Sequence, residues 1–261
     1  MTDASLPAGR FTAGEFRVGH VFSLTWSVFS RNFLTFMVVT GIASLPALLI
    51  PRPLPGANPF RDQGVLVFGL YFLIVVLGTL SQAIMLFGAF QAMLGRPINL
   101  VESATVGLRR FFPIVGVVLS VSFLVGLASV LLIVPGVMLY LMWFVATSVC
   151  VVEQLGPFRS MGRSRELTKG HRWKILGLIL LTVIPAGIVG LIVGAVAVAA
   201  LGMGAILGLS PALITPAGQL VGLIWSAIWK AFYVILAVVI YHDLRVAKEG
   251  VDTEQIVAVF E

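Results

Sequence analysis

The chain has 261 residues, 59% of them hydrophobic and only 11% charged, with a mean hydropathy of +1.07. A soluble domain carries about 25% charged residues, so this composition could not cover a water-facing surface and instead suits a bilayer. The net charge of +6 does not point to nucleic acid, because the basic side chains stand at the ends of apolar stretches, where membrane helices carry their orientation signal. Cys150 is the single cysteine, which excludes an intrachain disulfide and a cysteine metal cluster.

In chain order, residues 1–32 form a cytoplasmic tail with an interfacial helix over 14–32. At 100° per residue, Val18, Phe22, Trp26, Phe29 and Phe33 fall on one side, with Arg17, His20, Ser27 and Arg31 on the other. A basic face opposite an aromatic face suits the headgroup layer. These first residues lack the pattern of a cleavable signal peptide, so the first span is expected to be retained. About 20 apolar residues cross the hydrocarbon core as a helix. Spans are expected near 33–51, 64–94, 113–134, 137–153, 175–200 and 217–241, and residues 33–241 make one membrane domain. Residues 242–261 form a second cytoplasmic tail, with a short helix capped by Asp252 and edged by Ile256 and Phe260. The fold class is all-α: a polytopic bundle of six transmembrane helices in three hairpins, with interfacial amphipathic helices.

Charge decides orientation. Segments 1–32, 95–112, 154–174 and the tail after 241 carry nearly all the Arg and Lys. The remaining three loops carry only Arg52 and Arg61. Both termini are therefore expected in the cytoplasm. Each rising span follows a basic-aromatic elbow: Arg31-Asn32-Phe33, Arg109-Arg110-Phe111 and Arg172-Trp173-Lys174. These elbows mark either an internal repeat or the ordinary interface chemistry of any helix leaving the cytoplasm. Pro51 and Pro135 are expected to end the first two rising spans, with Pro211 and Pro216 in the last outer loop. The spacings Gly190–Gly194 and Gly218–Gly222 allow close backbone approach, within one subunit or between two. The sequence does not specify an oligomeric state.

The sixth span holds a polar stripe. Gln219, Ser226, Lys230, Tyr233 and Tyr241 project within about an 80° sector at helical spacing. Lys230 falls near the bilayer middle, where a charged lysine costs about 3 kcal/mol on insertion scales. It requires a water-filled cavity, hydrogen bonds to Gln82, tyrosines or carbonyls, or loss of its proton. Alternatively the long stem snorkels toward an interface. His20, His171 and His242 lie near interfaces without metal-ligand spacing, and no span holds paired carboxylates. No cofactor, metal site or catalytic set is expected.

Two cytoplasmic segments carry a resemblance. Glu153-Gln-Leu-Gly156-Pro157 continues to Arg163-Ser164-Arg-Glu-Leu167-Thr168-Lys169-Gly170-His-Arg172-Trp173. The second is Tyr241-His-Asp243-Leu244-Arg245-Val-Ala-Lys248-Glu249-Gly250-Val-Asp252. With the six-span layout, these segments resemble the bacterial glycerophosphoryl diester phosphodiesterase membrane-domain family. The resemblance implies an inner-membrane protein consisting of the membrane domain without the catalytic barrel. The motif charges suggest a clasp joining the fourth, fifth and sixth spans. In it, Glu153 pairs with Arg163, Arg172 or Arg245, Asp243 binds the 163–174 segment, and Trp173 anchors the fifth span. The functional expectation is a non-catalytic module that interacts with membrane lipids or assembles with another envelope protein. A transporter or permease with Lys230 and Gln82 in its path is the competing expectation.

Overall fold

The computed structural model describes residues 16–50, 64–206 and 211–250, and among these it is helical throughout, without strands. The helices are α1 (Val18–Arg31), α2 (Phe33–Ser44, continued by a 3-10 turn over Leu45–Leu49), α3 (Gly64–Met93), α4 (Leu100–Arg109) and α5 (Phe111–Leu131). They continue with α6 (Ile133–Met142), α7 (Ala146–Val152), α8 (Pro157–Thr168), α9 (Arg172–Ile206) and α10 (Pro211–Glu249). Five of the helices are long and apolar enough to cross a membrane, with α6 and α7 counted together. A sixth crossing requires α1 and α2, which meet at a 77° bend. The segment expected as the first span, 33–51, is a 12-residue helix that tightens into a 3-10 turn at Leu45-Pro46.

The prolines also fall differently. Pro135 lies in the first turn of α6, and α5 ends instead at Leu132, whose backbone is extended (φ −157°, ψ 135°). Pro211 opens α10, where a missing N–H costs little, and Pro216 lies in its second turn. With its 39 residues, α10 is roughly 58 Å long, nearly twice a hydrocarbon core. The helix expected at Asp252, and the loops holding Arg52 and Arg61, lie outside the described residues.

The three elbows open three similar units. Each pairs a short helix (α1, α4, α8) with a rising helix (α2, α5, α9) and a descending one (α3, α6–α7, α10). Each short helix packs on the descending helix of the unit before it: α4 on α3, α8 on α7 and, closing the circle, α1 on α10. The register agrees. Thr25, Ser103 and Ser164 each stand seven residues before the residues that immediately precede the rising helices, Asn32, Arg110 and His171, and all three are fully buried. Phe36, Ile114 and Ile175 each stand four residues after, and are equally buried. Each descending helix closes at a positive φ: Gly95 (70°), Gln154 (55°) and Gly250 (61°). A left-handed residue is the common way to satisfy the last carbonyls of a helix and turn the chain.

The second half of α10 is the hub. Val234, Ile235, Leu236, Val238, Val239, Ile240, Tyr241 and Leu244 are buried, and α1, α2, α3, α7, α8 and α9 pack against the helix. The opposite ends of the long helices present apolar side chains outward, from Val65, Leu66 and Phe68 on α3 to Val130, Leu131 and Leu132 at the α5–α6 bend. In water such a surface would be costly at about 25 cal/mol per Å², whereas lipid tails accept it. Gly190 admits Trp225: a Cβ there would meet the indole Nε1 at 3.0 Å. This glycine therefore serves packing within the chain.

Candidate functional site

At the clasp, the loop after α7, α8 and the end of α10 meet through charge. Glu153 follows α7 and accepts from Arg163 Nε at 3.1 Å and from the Tyr241 hydroxyl at 3.0 Å. Arg163 also pairs with Glu249, which accepts from Arg245 Nε at 3.1 Å. Arg245 donates to the Tyr241 hydroxyl at 3.3 Å and closes the ring of contacts. Burial works against the Arg163 charge, but Glu249 and Glu153 outweigh it and hold the guanidinium above its ordinary range. Lys248 donates to the Glu166 carbonyl and fastens α10 to α8 a second time.

This network contains Glu153, Arg163 and Arg245, as the sequence suggests, but excludes the other three expected members. Asp243 turns toward α1, 3.4 Å from His20 Nδ1, rather than toward 163–174. The reason is helical geometry: Asp243 projects from a different side of α10 than Tyr241 and Arg245. Arg172 opens α9 with its Nε buried and without a hydrogen-bond partner among the described residues. Trp173 is 79% exposed. Glu249, read from sequence only as part of a helix-end cluster, is a full member. Its position four residues after Arg245 is the signal that could have found it.

A second set of bonds supports the clasp from below. The helix breaks between α6 and α7, where Ala146 N–H bonds the Trp143 carbonyl rather than that of Met142. The Met142 carbonyl instead accepts from the hydroxyls of Ser164 (2.9 Å) and Thr168 (3.2 Å) on α8. Arg110 donates to the Gln154 carbonyl at 3.0 Å and to its side-chain oxygen, pinning the left-handed residue.

The intramembrane stripe is dispersed. The half-buried Lys230 lies with Nζ 3.5 Å from the Gly78 carbonyl of α3, in space that a Cβ at residue 78 would crowd at 3.3 Å. Gln82 is half-buried, and none of its hydrogen bonds among the described residues reaches Lys230. Ser226 is exposed and donates to its own helix at Leu223. Tyr233 packs edge-on against Phe144, its hydroxyl buried without a partner among the described residues. Tyr241 belongs to the clasp. The side chain of Gln219 lies outside the described residues.

An apolar groove of about 190 Å³ runs between α6 and α9. Val137, Met138 and Leu141 form one wall, and Arg172, Trp173 and Leu176 form the other. Cations gather at its α9 end. Lys248 stands in electrostatic reach of Lys169, Arg163 and Arg172, and of the acid Glu166. Burial, then Lys248 and Lys174, push the His171 imidazole below its ordinary value. Glu166 stands 3.9 Å from Arg163, with its side chain 74% exposed. Among the described residues no group of His, Cys, Asp and Glu could hold a metal ion. No protein-family model, curated protein or solved structure matches the chain.

Proposed function

We propose that this chain is a non-catalytic, lipid-holding module of a bacterial inner membrane. The observation that carries the reading is the α6–α9 groove: an apolar trough walled on one side by Arg172 and Trp173 at the start of α9. The clasp commits its acids and bases to one another, so its chemistry is structural. Apolar burial in the trough and roughly 1 kcal/mol per basic residue near an anionic surface would together retain a lipid. The test is to purify the protein in mild detergent and measure bound phospholipid by native mass spectrometry. Phospholipid retained at about one per chain is expected. Folded protein that keeps its melting temperature with no lipid bound would overturn the reading.

A transport reading competes on a separate observation, the Lys230 amine turned inward against α3 rather than outward to lipid. Lys230→Met in proteoliposomes decides it. On the lipid-holding reading, the variant folds as stably as the parent or more so. Loss of a solute flux measured in the parent would favour transport.

A further inference from the structure

We infer that Leu34, Phe112 and Trp173 form one ring of anchors that seats the bundle in the interfacial layer of a single lipid leaflet, the leaflet on its basic side. The ring concerns the rim of the bundle and needs no lipid in the α6–α9 groove. Three observations carry it. First, the anchors occupy the same position in the three units. Each is the second residue of a rising helix, α2, α5 or α9, and each points outward, at 77%, 82% and 79% exposure. Two residues further on, Phe36, Ile114 and Ile175 are at most 1% exposed. Positions two apart on a helix point about 160° away from each other. In every unit the core residue therefore fixes the direction of its anchor. Exposed apolar side chains scattered singly need no explanation, but three large ones at one register of three packed units are not scattered.

Second, the anchors continue into surface suited to acyl chains. Eleven residues on from each stands another exposed apolar side chain: Leu45 at 55%, Phe123 at 70% and Ile184 at 54%. Eleven residues make three helical turns, so on α5 and α9 these side chains share the anchor's side, about 16 Å along the axis. A patch for a protein partner is bordered by a polar rim, whereas these anchors run on into apolar flanks.

Third, polarity changes on the other side of the ring. Arg31 and Arg109 are exposed three residues before Leu34 and Phe112, and Lys169 is exposed four residues before Trp173. Along each unit the order is cation, large apolar side chain, apolar flank. A leaflet presents the matching order of phosphate, ester layer and acyl chain. Basic residues are drawn to the anionic surface, and a tryptophan such as Trp173 favours the layer beneath it.

The test is depth measurement by electron paramagnetic resonance on the full-length protein in liposomes of phosphatidylglycerol and phosphatidylcholine. Leu34→Cys, Phe112→Cys and Trp173→Cys each receive a nitroxide, the native Cys150 being buried. Accessibility to oxygen and to a water-soluble nickel chelate gives each depth. The three labels are expected within one helical turn of each other, about 5.4 Å, just below the phosphates. Labels on Phe123→Cys and Ile184→Cys should lie about 12–16 Å deeper, the spread allowing for helix tilt. Labels on Arg31→Cys, Arg109→Cys and Lys169→Cys should lie above the ring, within reach of the nickel chelate, and they decide its level should an anchor variant fail to fold. Anchors at separate depths, anchors as open to nickel as a label in solution, or basic-site labels buried below the phosphates would overturn the inference. Anchors shielded from both reagents would overturn it too, because a second copy or another protein would then cover them.

Discussion

Glu153 carries two partners on one carboxylate, Arg163 and the Tyr241 hydroxyl, at a side-chain exposure of 16%. Its loss would leave Arg163 to Glu249 and the more distant, exposed Glu166, and the Tyr241 hydroxyl without its acceptor. Glu153→Ala should therefore lower the melting temperature in mild detergent by an amount corresponding to about 1–3 kcal/mol. Tyr241→Phe removes the two hydroxyl bonds of the same set, to Glu153 and from Arg245, but leaves the ion pairs in place and should cost less. The double variant should cost less than the two single variants combined, as members of one network do; additive losses would show that the bonds act independently. His171 offers a pH test. Its imidazole is held below the ordinary value of 6.5, so below that pH the unfolded chain binds a proton that the folded chain resists. Stability contributed by neutral His171 is present above pH 6.5 and is lost as pH falls through and below it. Melting curves between pH 7.5 and 5 should show this loss, and His171→Gln should flatten it. At this scale the sequence exposed Glu153, Arg163 and Arg245, because charges in a mostly apolar chain are conspicuous. It could not assign their partners, since a spacing of 86 residues between Arg163 and Glu249 is bridged only by the fold.

The short helix α8 holds the break in the fourth span. Where α6 passes to α7, the Met142 carbonyl loses its place in the helical ladder, and Ser164 and Thr168 supply the replacement donors. Ser164→Ala combined with Thr168→Val removes both hydroxyls with little change in volume. The pair should destabilise by about 1–3 kcal/mol, the cost of a buried carbonyl left unpaired. Hydrogen exchange should show faster opening around residues 142–146, and an unchanged exchange rate there would show that α8 packs on the break without supporting it. The long apolar helices were legible from hydropathy alone. By contrast, α4 was hidden inside a segment read as a loop. Its Leu100, Val101 and Leu108 are exposed while Ser103 and Gly107 are buried, the reverse of a soluble amphipathic helix. Close approach to α3 requires small residues there: a Cβ at Gly107 would already stand 3.3 Å from Ala83. Thr25 on α1 is buried for the same kind of reason while Trp26 faces outward. A hydrophobic-inside rule therefore assigns the wrong face to α4, and the common register of the short helices against the rising helices shows what they share.

For the whole molecule, orientation follows from where the charge sits once the units close on one another. The short helices α1 and α8, the clasp and the ends of the descending helices gather around the buried half of α10, with α4 packed on α3, and this is where the Arg and Lys are concentrated. The opposite half presents uncharged apolar helices. A bilayer accepting the apolar half would leave the basic half in the cytoplasm, the side where positive residues are retained. The bend between α1 and α2 matters to this argument. If α1 lies along the interface and α2 with its 3-10 turn crosses, six crossings result and both termini share the cytoplasmic side. If α2 turns back, five crossings remain and the termini separate. Single-cysteine labelling distinguishes the two, and the native Cys150 is buried and poorly available to reagents. Glu166→Cys and Asn58→Cys would be treated in intact cells with a membrane-impermeant maleimide. On six crossings, Asn58→Cys is labelled from outside, and Glu166→Cys is labelled only after the membrane is opened. Cysteines at Arg17 and Lys248 should behave alike, both protected until lysis. Labelling of one terminus and protection of the other would show that the α2 segment does not cross, and would reduce the bundle to five spans.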